Sequence, residues 1–243
     1  MSLKNNLSEK IGDNLRENVS LSNYSWFNLG GNAEYFYKAK NLNELINFLD
    51  VAKKENLKTI ILGAGSNTLF RDNGVKGAVI KLIQDFSFIK IQNKNILHVG
   101  AATLDRKVAN FAKENNLGNL EFLSCIPGSI GGAIIMNSGC YDNDISKVLV
   151  SLTAINKNNL SEIEIKRKDI KFYYRGTNLS DDLIIISAKF KGQIEDKDEI
   201  EKKQSNLIEQ KKISQPSQIK TCGSTFKNIN KDKKAWMLIK EAG

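Results

Sequence analysis

One segment of the chain places a permanent positive charge beside two aromatic rings. Arg175 follows Tyr173 and Tyr174 directly. A guanidinium stays charged at every working pH and offers a rigid fork of donors, which suits a carboxylate or a developing oxyanion. The alternative for these residues alone is a surface arginine that stacks on tyrosine.

A second segment, residues 222–228, carries a serine hydroxyl, Ser224, shortly before Lys227. His98 is the only histidine in the sequence, so Ser224 has little prospect of a histidine base and is a poor hydrolase nucleophile. A hydroxyl can still donate a proton to a carbanion when a cation such as Lys227 or Arg175 stabilises the resulting alkoxide. A turn with an incidental serine is the alternative.

Two glycine-rich segments, far apart in sequence, have the composition of loops that let a ligand approach the main chain. Together they predict the two halves of a cradle for one long anionic cofactor, with three unrelated turns, Gly30-Gly31 included, as the alternative. Thr68 stands where a dinucleotide fingerprint needs its third glycine, so the first loop is not of that type. The residues are Gly63, Ala64, Gly65, Ser66 and Asn67 in the first segment, and Pro127, Gly128, Ser129, Ile130, Gly131 and Gly132 in the second.

Composition excludes several classes of protein. The three cysteines lack the paired spacing of a zinc site, and their odd number argues against a disulfide framework. The sequence has no apolar run of membrane-spanning length, and its polar start is unlike a signal peptide, so we expect a soluble cytoplasmic protein. The net charge of +9 permits nucleic-acid binding, although no binding motif accompanies it, and it favours anionic small ligands.

Hydrophobic periodicity predicts interleaved strands and helices, which indicates an α+β or α/β architecture. We expect helices at residues 42–57, 104–115 and 194–213. We expect a buried strand at residues 59–62. We expect further strands at residues 75–82, 96–99, 148–155, 160–166 and 183–191. The predicted division is 1–78 and 79–193 for two cofactor-binding subdomains, with 194–243 as the start of a substrate-binding domain.

Six motifs in order resemble those of the UDP-N-acetylenolpyruvoylglucosamine reductase family, from about residue 19 to the end of the chain. The matching stretches are SWFNLGG at 25–31, GAGSN at 63–67, IPGSIGGA at 126–133, MNSGCY at 136–141, YR at 174–175 and GSTFKN at 223–228. Each motif is modest alone, but the shared order makes chance agreement improbable.

The resemblance implies an α+β FAD-binding fold of the vanillyl-alcohol-oxidase (PCMH) type with a third, substrate-binding domain. It implies NADPH-dependent, FAD-mediated reduction of a UDP-sugar enolpyruvate to UDP-N-acetylmuramate for peptidoglycan synthesis. The two glycine segments and Tyr141 would then hold FAD. Arg175 would stabilise an enolate and Ser224 would protonate it. Tyr174, Arg175, Lys227 and Asn228 would contact substrate.

The chain departs from the family pattern at two points. Ile229 stands where the family has proline, and the chain stops at Gly243 where the family continues to a catalytic glutamate. We therefore expect FAD binding to persist while turnover is lost or severely impaired. The open alternatives are another FAD oxidoreductase of the same fold, in which His98 could tether the flavin, an inactive remnant, and a basic nucleic-acid-binding protein.

Overall fold

The computed structural model describes residues 11–215, 226–228 and 233–243. The strands are β1 (Leu15–Ser20), β2 (Asn32–Ala39), β3 (Thr59–Ile61), β4 (Val75–Leu82), β5 (Ile89–Asn93), β6 (Ile96–Gly100), β7 (Leu117–Gly118), β8 (Gly139–Cys140), β9 (Asn143–Asp144), β10 (Leu149–Asn156), β11 (Glu162–Lys166), β12 (Phe172–Tyr173), β13 (Gly176–Thr177), β14 (Leu183–Lys191) and β15 (Gln193–Ile194). The helices are α1 (Leu42–Lys54), α2 (Asp105–Glu114), α3 (Ile130–Ile135), α4 (Ile145–Val148), α5 (Lys197–Ser214) and α6 (Ala235–Glu241).

Two sheets organise these elements. The first has the order β1-β2-β4-β3, with β1 antiparallel to β2 and the other neighbours parallel. The second has the order β11-β10-β14-β6-β5 and is antiparallel throughout. Helix α1 connects β2 to β3, as a parallel crossover requires.

The start of α1 shows how local sequence fixes an element. Asn41 caps the helix, its side chain accepting a hydrogen bond from the backbone N–H of Glu44 at 2.9 Å. The carboxylate of Glu44 accepts in turn from the backbone N–H of Lys40 at 2.9 Å, so two free helix-end donors are satisfied. Phe48, on the inner face of α1, stacks on Tyr37 of β2 with ring centroids 4.1 Å apart, which joins helix to sheet.

Most predicted elements are confirmed with small shifts at their ends, and three findings correct the prediction. Strand β3 is a sheet edge, with Ile60 44% and Ile61 40% exposed, so it is not buried. The second glycine segment is not entirely a loop, because α3 begins within it at Ile130. Strands β1, β2 and β5, the two-residue strands and helices α3, α4 and α6 were not predicted. The division at residues 78 and 193 stays a prediction.

Helix α2 begins with a carboxyl group that has no access to solvent. Asp105 is 0% exposed, and its backbone N–H donates to Gly128 O at 3.2 Å. Burial raises the pKa of Asp105 well above its ordinary value, which the nearby Gly128 backbone only partly offsets. The backbone N–H of Asp105 therefore holds the second glycine segment, while its buried carboxyl carries a cost that depends on its ionisation.

The Asp105→Asn variant is expected to be more stable than the parent chain at neutral pH, and the gap is expected to narrow towards pH 4. The folded state holds the Asp105 proton more tightly than the unfolded state, whose aspartate pKa is about 3.9. Parent stability therefore falls as pH rises above that value, by up to about 1.4 kcal/mol per pH unit, until the folded pKa is passed. Urea unfolding between pH 4 and 8 measures this difference.

The exposed Asp181 supplies the matched control, because Asp181→Asn removes a carboxylate that water already solvates. Its stability difference from the parent is expected to be small and flat with pH. A stability gap for Asp105→Asn that does not change with pH would contradict the assignment.

Candidate active site

The first glycine segment is tied to the stretch before it by backbone contacts. The backbone N–H of Trp26 donates to Gly65 O at 3.2 Å. The hydroxyl of Ser25, which is 3% exposed, donates to Thr68 O at 3.1 Å. The loop after β3 and the segment around Trp26 therefore form one unit.

Gly65 is required by the geometry of that unit. Its φ is +73°, and a Cβ there would lie 1.8 Å from Tyr24 O. Any other residue would be strained by its backbone conformation and would also collide with main chain that cannot move aside.

The two glycine segments contact each other. A Cβ on Gly63 would lie 2.6 Å from the hydroxyl oxygen of Ser129, so only glycine permits this approach without a shift. The structure therefore brings together two segments that are far apart in sequence, in agreement with the cradle prediction.

The second glycine segment is attached to the end of β6. The backbone N–H of Gly131 donates to Ala101 O at 2.9 Å, and that of Ile130 donates to Thr103 O at 3.0 Å. The cradle thus joins the loop after β3, at the edge of the first sheet, to the end of a strand in the second sheet.

Lys81, which the sequence did not single out, supplies charge at the cradle. Its ammonium donates to Gly63 O at 2.7 Å. Partial burial, with the nearby charge of Lys38 as a smaller cause, lowers the pKa of Lys81. Its alternating place in β4 was readable from the sequence, but nothing there pointed to Gly63.

Arg175 lies at the tip of a hairpin. Strands β12 and β13 pair around the two-residue turn Tyr174-Arg175, and Arg175 has the left-handed φ of 58°. Its Nη2 donates to Gly139 O at 2.9 Å, and its Cζ lies 5.1 Å from the centroid of the Tyr174 ring. A non-glycine residue in this conformation costs about 1–3 kcal/mol and is typical of functional sites.

The hairpin borders a cleft of about 350 Å³. Buried Asn137 holds two of its walls together, since its Nδ2 donates to Tyr173 O at 3.1 Å and its Oδ1 accepts from Ser146 N at 3.1 Å. The Nε of Arg167 donates to Ser146 O at 2.7 Å. The lining residues are Asn137, Asp144, Ser146, Arg167, Phe172, Tyr173, Tyr174 and Arg175.

The predicted substrate residues lie partly within reach of this cleft. Asn228 Nδ2 donates to the Tyr174 hydroxyl at 3.4 Å, and Asn228 Oδ1 accepts from Ala235 N at 3.1 Å. Lys227 is exposed. Tyr141 follows β8 with a φ of 50° and is 38% exposed. Ser224 lies outside the described residues.

The sequence missed several contributors to the cleft. Asn137 fell within a quoted motif but was not assigned a role. Asp144, Ser146 and Arg167 carried no signal of their own, because their proximity arises from the turns around β9 and α4. The roles assigned to the individual site residues stay predictions.

The arrangement fits an anionic dinucleotide cofactor such as FAD. Glycine at positions 63 and 65 lets the first segment pack closely against Ser129 and Tyr24, and Lys81 adds a cation next to it. The segments that contain Ala64, Ser66 and Asn67 on one side and Pro127 and Gly132 on the other reach the surface, so a ligand has access to both.

No helix in the described part of the chain is both long enough and apolar enough to cross a membrane.

Comparison with known proteins shows which family the chain resembles. Residues 33–159 match the family model described as an FAD binding domain. The chain is 44% identical over 239 residues to the UDP-N-acetylenolpyruvoylglucosamine reductase of Pelagibacter ubique, covering 97% of this chain and 78% of that relative.

Two solved structures have a fold similar to that of this chain. The fold is similar to the crystal structure of UDP-N-acetylenolpyruvylglucosamine reductase from Thermus caldophilus, with a TM-score of 0.82 and 28% identity over 94% of this chain and 80% of that one. A VAO-type flavoprotein from Myceliophthora thermophila matches with a TM-score of 0.58 and 12% identity over 79% of this chain and 47% of that one, which bears on the fold alone.

The matches confirm the expected α+β FAD-binding fold of the vanillyl-alcohol-oxidase type. These relatives and the matching family model show that the chain belongs to the UDP-N-acetylenolpyruvoylglucosamine reductase family of FAD-dependent oxidoreductases.

Proposed function

We propose that this chain uses NADPH and bound FAD to reduce UDP-N-acetylglucosamine enolpyruvate to UDP-N-acetylmuramate, a step in peptidoglycan precursor synthesis. The observation that supports it best is the contact between the two glycine segments, with Ser129 Oγ against Gly63. That contact sets the two segments side by side, so that the backbone N–H groups of both can face one long anionic cofactor.

FAD, when bound, would supply the redox chemistry that carries hydride from NADPH to the enolpyruvyl double bond. The chain's own residues hold the reactants and manage charge. Residues 63–67 and 127–132, together with Tyr141, are the proposed contacts to FAD.

Arg175 is proposed to stabilise the negative charge that develops when hydride adds to the double bond. The turn conformation and the hydrogen bond to Gly139 O fix its guanidinium at the cleft, so little reorganisation is needed as the charge appears. The Tyr174 ring lies beside the guanidinium of Arg175, which keeps further N–H donors that can bind a carboxylate.

Ser224 is the proposed general acid that completes the reduction by giving its hydroxyl proton to the substrate carbon. Tyr174, Lys227 and Asn228 are the proposed substrate contacts. The hydrogen bond between Asn228 and the Tyr174 hydroxyl supports this grouping, since it holds the segment after Ser224 beside the hairpin.

The rival functions lack comparable support. His98, the candidate for a flavin tether, hydrogen-bonds Ser187 Oγ at 3.0 Å and sets its ring edge against Phe88. Burial, followed by the charges of Lys189 and Lys90, lowers its pKa. These contacts describe a histidine that is fixed within its sheet.

The proposed reaction is tested in two half-reactions under anaerobic conditions. NADPH is expected to bleach the flavin absorbance of the loaded chain, and the enolpyruvyl UDP-sugar is expected to restore it. Single-turnover recording detects even a slow second step. Restoration by a simple alcohol-derived aldehyde or ketone, with none by the UDP-sugar, would overturn the substrate assignment.

Gly65→Ala is expected to weaken FAD binding at least about tenfold, because the added Cβ would meet Tyr24 O and displace the first glycine segment. Titration with FAD, followed by flavin fluorescence, measures the affinity. Gly176→Ala is the matched control, since a Cβ at Gly176 has no atom within 4 Å. Equal affinities for both variants would contradict the role of this loop.

Arg175→Lys is expected to slow flavin reoxidation by the enolpyruvyl substrate about 10²-fold to 10³-fold, while NADPH still reduces the flavin at nearly the parent rate. A lysine keeps the charge but loses the guanidinium fork. Stopped-flow absorbance separates the two steps, and Arg106→Lys on the exposed side of α2 is the control. Equal slowing of both half-reactions would argue against a role specific to the enolate.

A further inference from the structure

Two thiols meet beside the candidate site, and the proposed reaction uses neither. Cys125 ends the 3₁₀ helix Glu121–Cys125, and Cys140 lies in β8. Both are free thiols, and they lie near enough for each to shift the pKa of the other. Cys140 Sγ also donates to Phe122 O at 3.4 Å, which holds β8 against that helix.

We propose that Cys125 and Cys140 form a peroxide-sensitive pair that closes reversibly into a disulfide next to the Arg175 cleft. The proposal is independent of which substrate the flavin reduces. It rests on the placement of the Cys140 sulfur against the short helix that ends in Cys125 and on the charges that surround the two thiols.

The surroundings favour the thiolate of Cys125. The neighbouring Cys140 is the largest cause that lowers the pKa of Cys125; Ser124 and the ammonium of Lys211 on α5 lower it further, while burial opposes them. Lys211 also donates to Cys125 O, which fixes its position. The contact with Cys125, followed by burial, raises the pKa of Cys140, although Lys211 and Arg175 oppose this.

The two cysteines differ in exposure, and thiolate character rather than access is what makes Cys125 the first to react. Cys125 is 6% exposed, and Cys140 is half-buried. Hydrogen peroxide is little larger than water, so it can reach and oxidise the enclosed Cys125 thiolate. Cys140 then lies close by for the second step.

The chemistry balances with hydrogen peroxide as the oxidant. The Cys125 thiolate attacks one peroxide oxygen, the O–O bond breaks, and Cys125 sulfenic acid and hydroxide form. The Cys140 sulfur then attacks the Cys125 sulfur, the S–S bond forms, and the S–O bond breaks. The departing hydroxide takes the Cys140 proton and leaves as water. Two electrons pass from the thiol pair to the peroxide.

The proposed disulfide would form at a position where it can affect the candidate site. Cys125 lies directly before Ile126 and Pro127, where the second glycine segment starts. Cys140 follows Gly139, whose carbonyl accepts the hydrogen bond from Arg175. A disulfide would tie the entry of the cofactor segment to the anchor of the arginine.

The test treats the full FAD-loaded chain with a small excess of hydrogen peroxide and counts thiols after denaturation. Two of the three cysteines are expected to lose their thiols, and dithiothreitol is expected to restore both. Peptide mapping without reduction should find Cys125 linked to Cys140. The rate of disulfide formation should reach half its maximum below pH 8.5, the ordinary cysteine value.

Variants separate the two roles. In Cys140→Ser, peroxide is expected to leave Cys125 as a sulfenic acid that dimedone traps, with no linked peptide. In Cys125→Ser, loss of the Cys140 thiol is expected to slow at least about tenfold, because the low-pKa nucleophile is gone. Circular dichroism and FAD binding verify that each variant is folded. Cys222→Ser is the matched control and should still form the bond.

Several results would overturn the proposal. A linked peptide that contains Cys222 would assign the chemistry elsewhere. Loss of thiols at the parent rate in Cys125→Ser would show that Cys125 is not the first nucleophile. Direct progress of Cys125 to sulfinic acid in the parent chain, without a disulfide, would show that the two sulfurs do not react together.

Discussion

The approach of Gly63 to Ser129 is the contact on which the rest of the site depends. A Cβ at Gly63 would lie 2.6 Å from Ser129 Oγ, so any larger residue would displace the serine hydroxyl where the loop after β3 meets the segment that leads into α3. The first loop belongs to the edge of one sheet, and the second is stitched to Ala101 at the end of a strand in the other sheet. The cradle therefore exists only when the connections from both sheets are in place, which makes cofactor binding a property of the whole fold. Lys81 and Asp105 show the same dependence, since each lies in a regular element and supports one glycine segment.

Two residues that line the cleft have unusual backbone conformations. Arg175 and Asn137 both have positive φ, as does Tyr141 after β8. Such conformations persist only where surrounding contacts hold them, and here Asn137 and Gly139 provide those contacts. The free-energy cost of these turn conformations is consistent with a site whose charged group must be in place before a reaction begins.

The sequence predicted those parts of the structure that follow from local patterns. The alternation in residues 75–82 and 183–191 matches β4 and β14, and the helical spacing after Leu42 matches α1. The strands β1, β2 and β5 were missed, because short or mixed polar runs resemble loops until a partner strand pairs with them. Strand β3 was expected to be buried because its residues are apolar, yet its place at the sheet edge exposes Ile60.

Within the site, motifs predicted the glycine cradle and Arg175, but Lys81 and Arg167 became visible only through tertiary contacts. The central claim is that this cradle holds FAD. The most direct measurement is the visible absorption spectrum of the purified chain after incubation with FAD and removal of the excess, before and after denaturation. The account predicts a flavin spectrum that stays with the folded chain and FAD that appears free in solution once the chain unfolds. A folded chain that remains colourless after the incubation would contradict it.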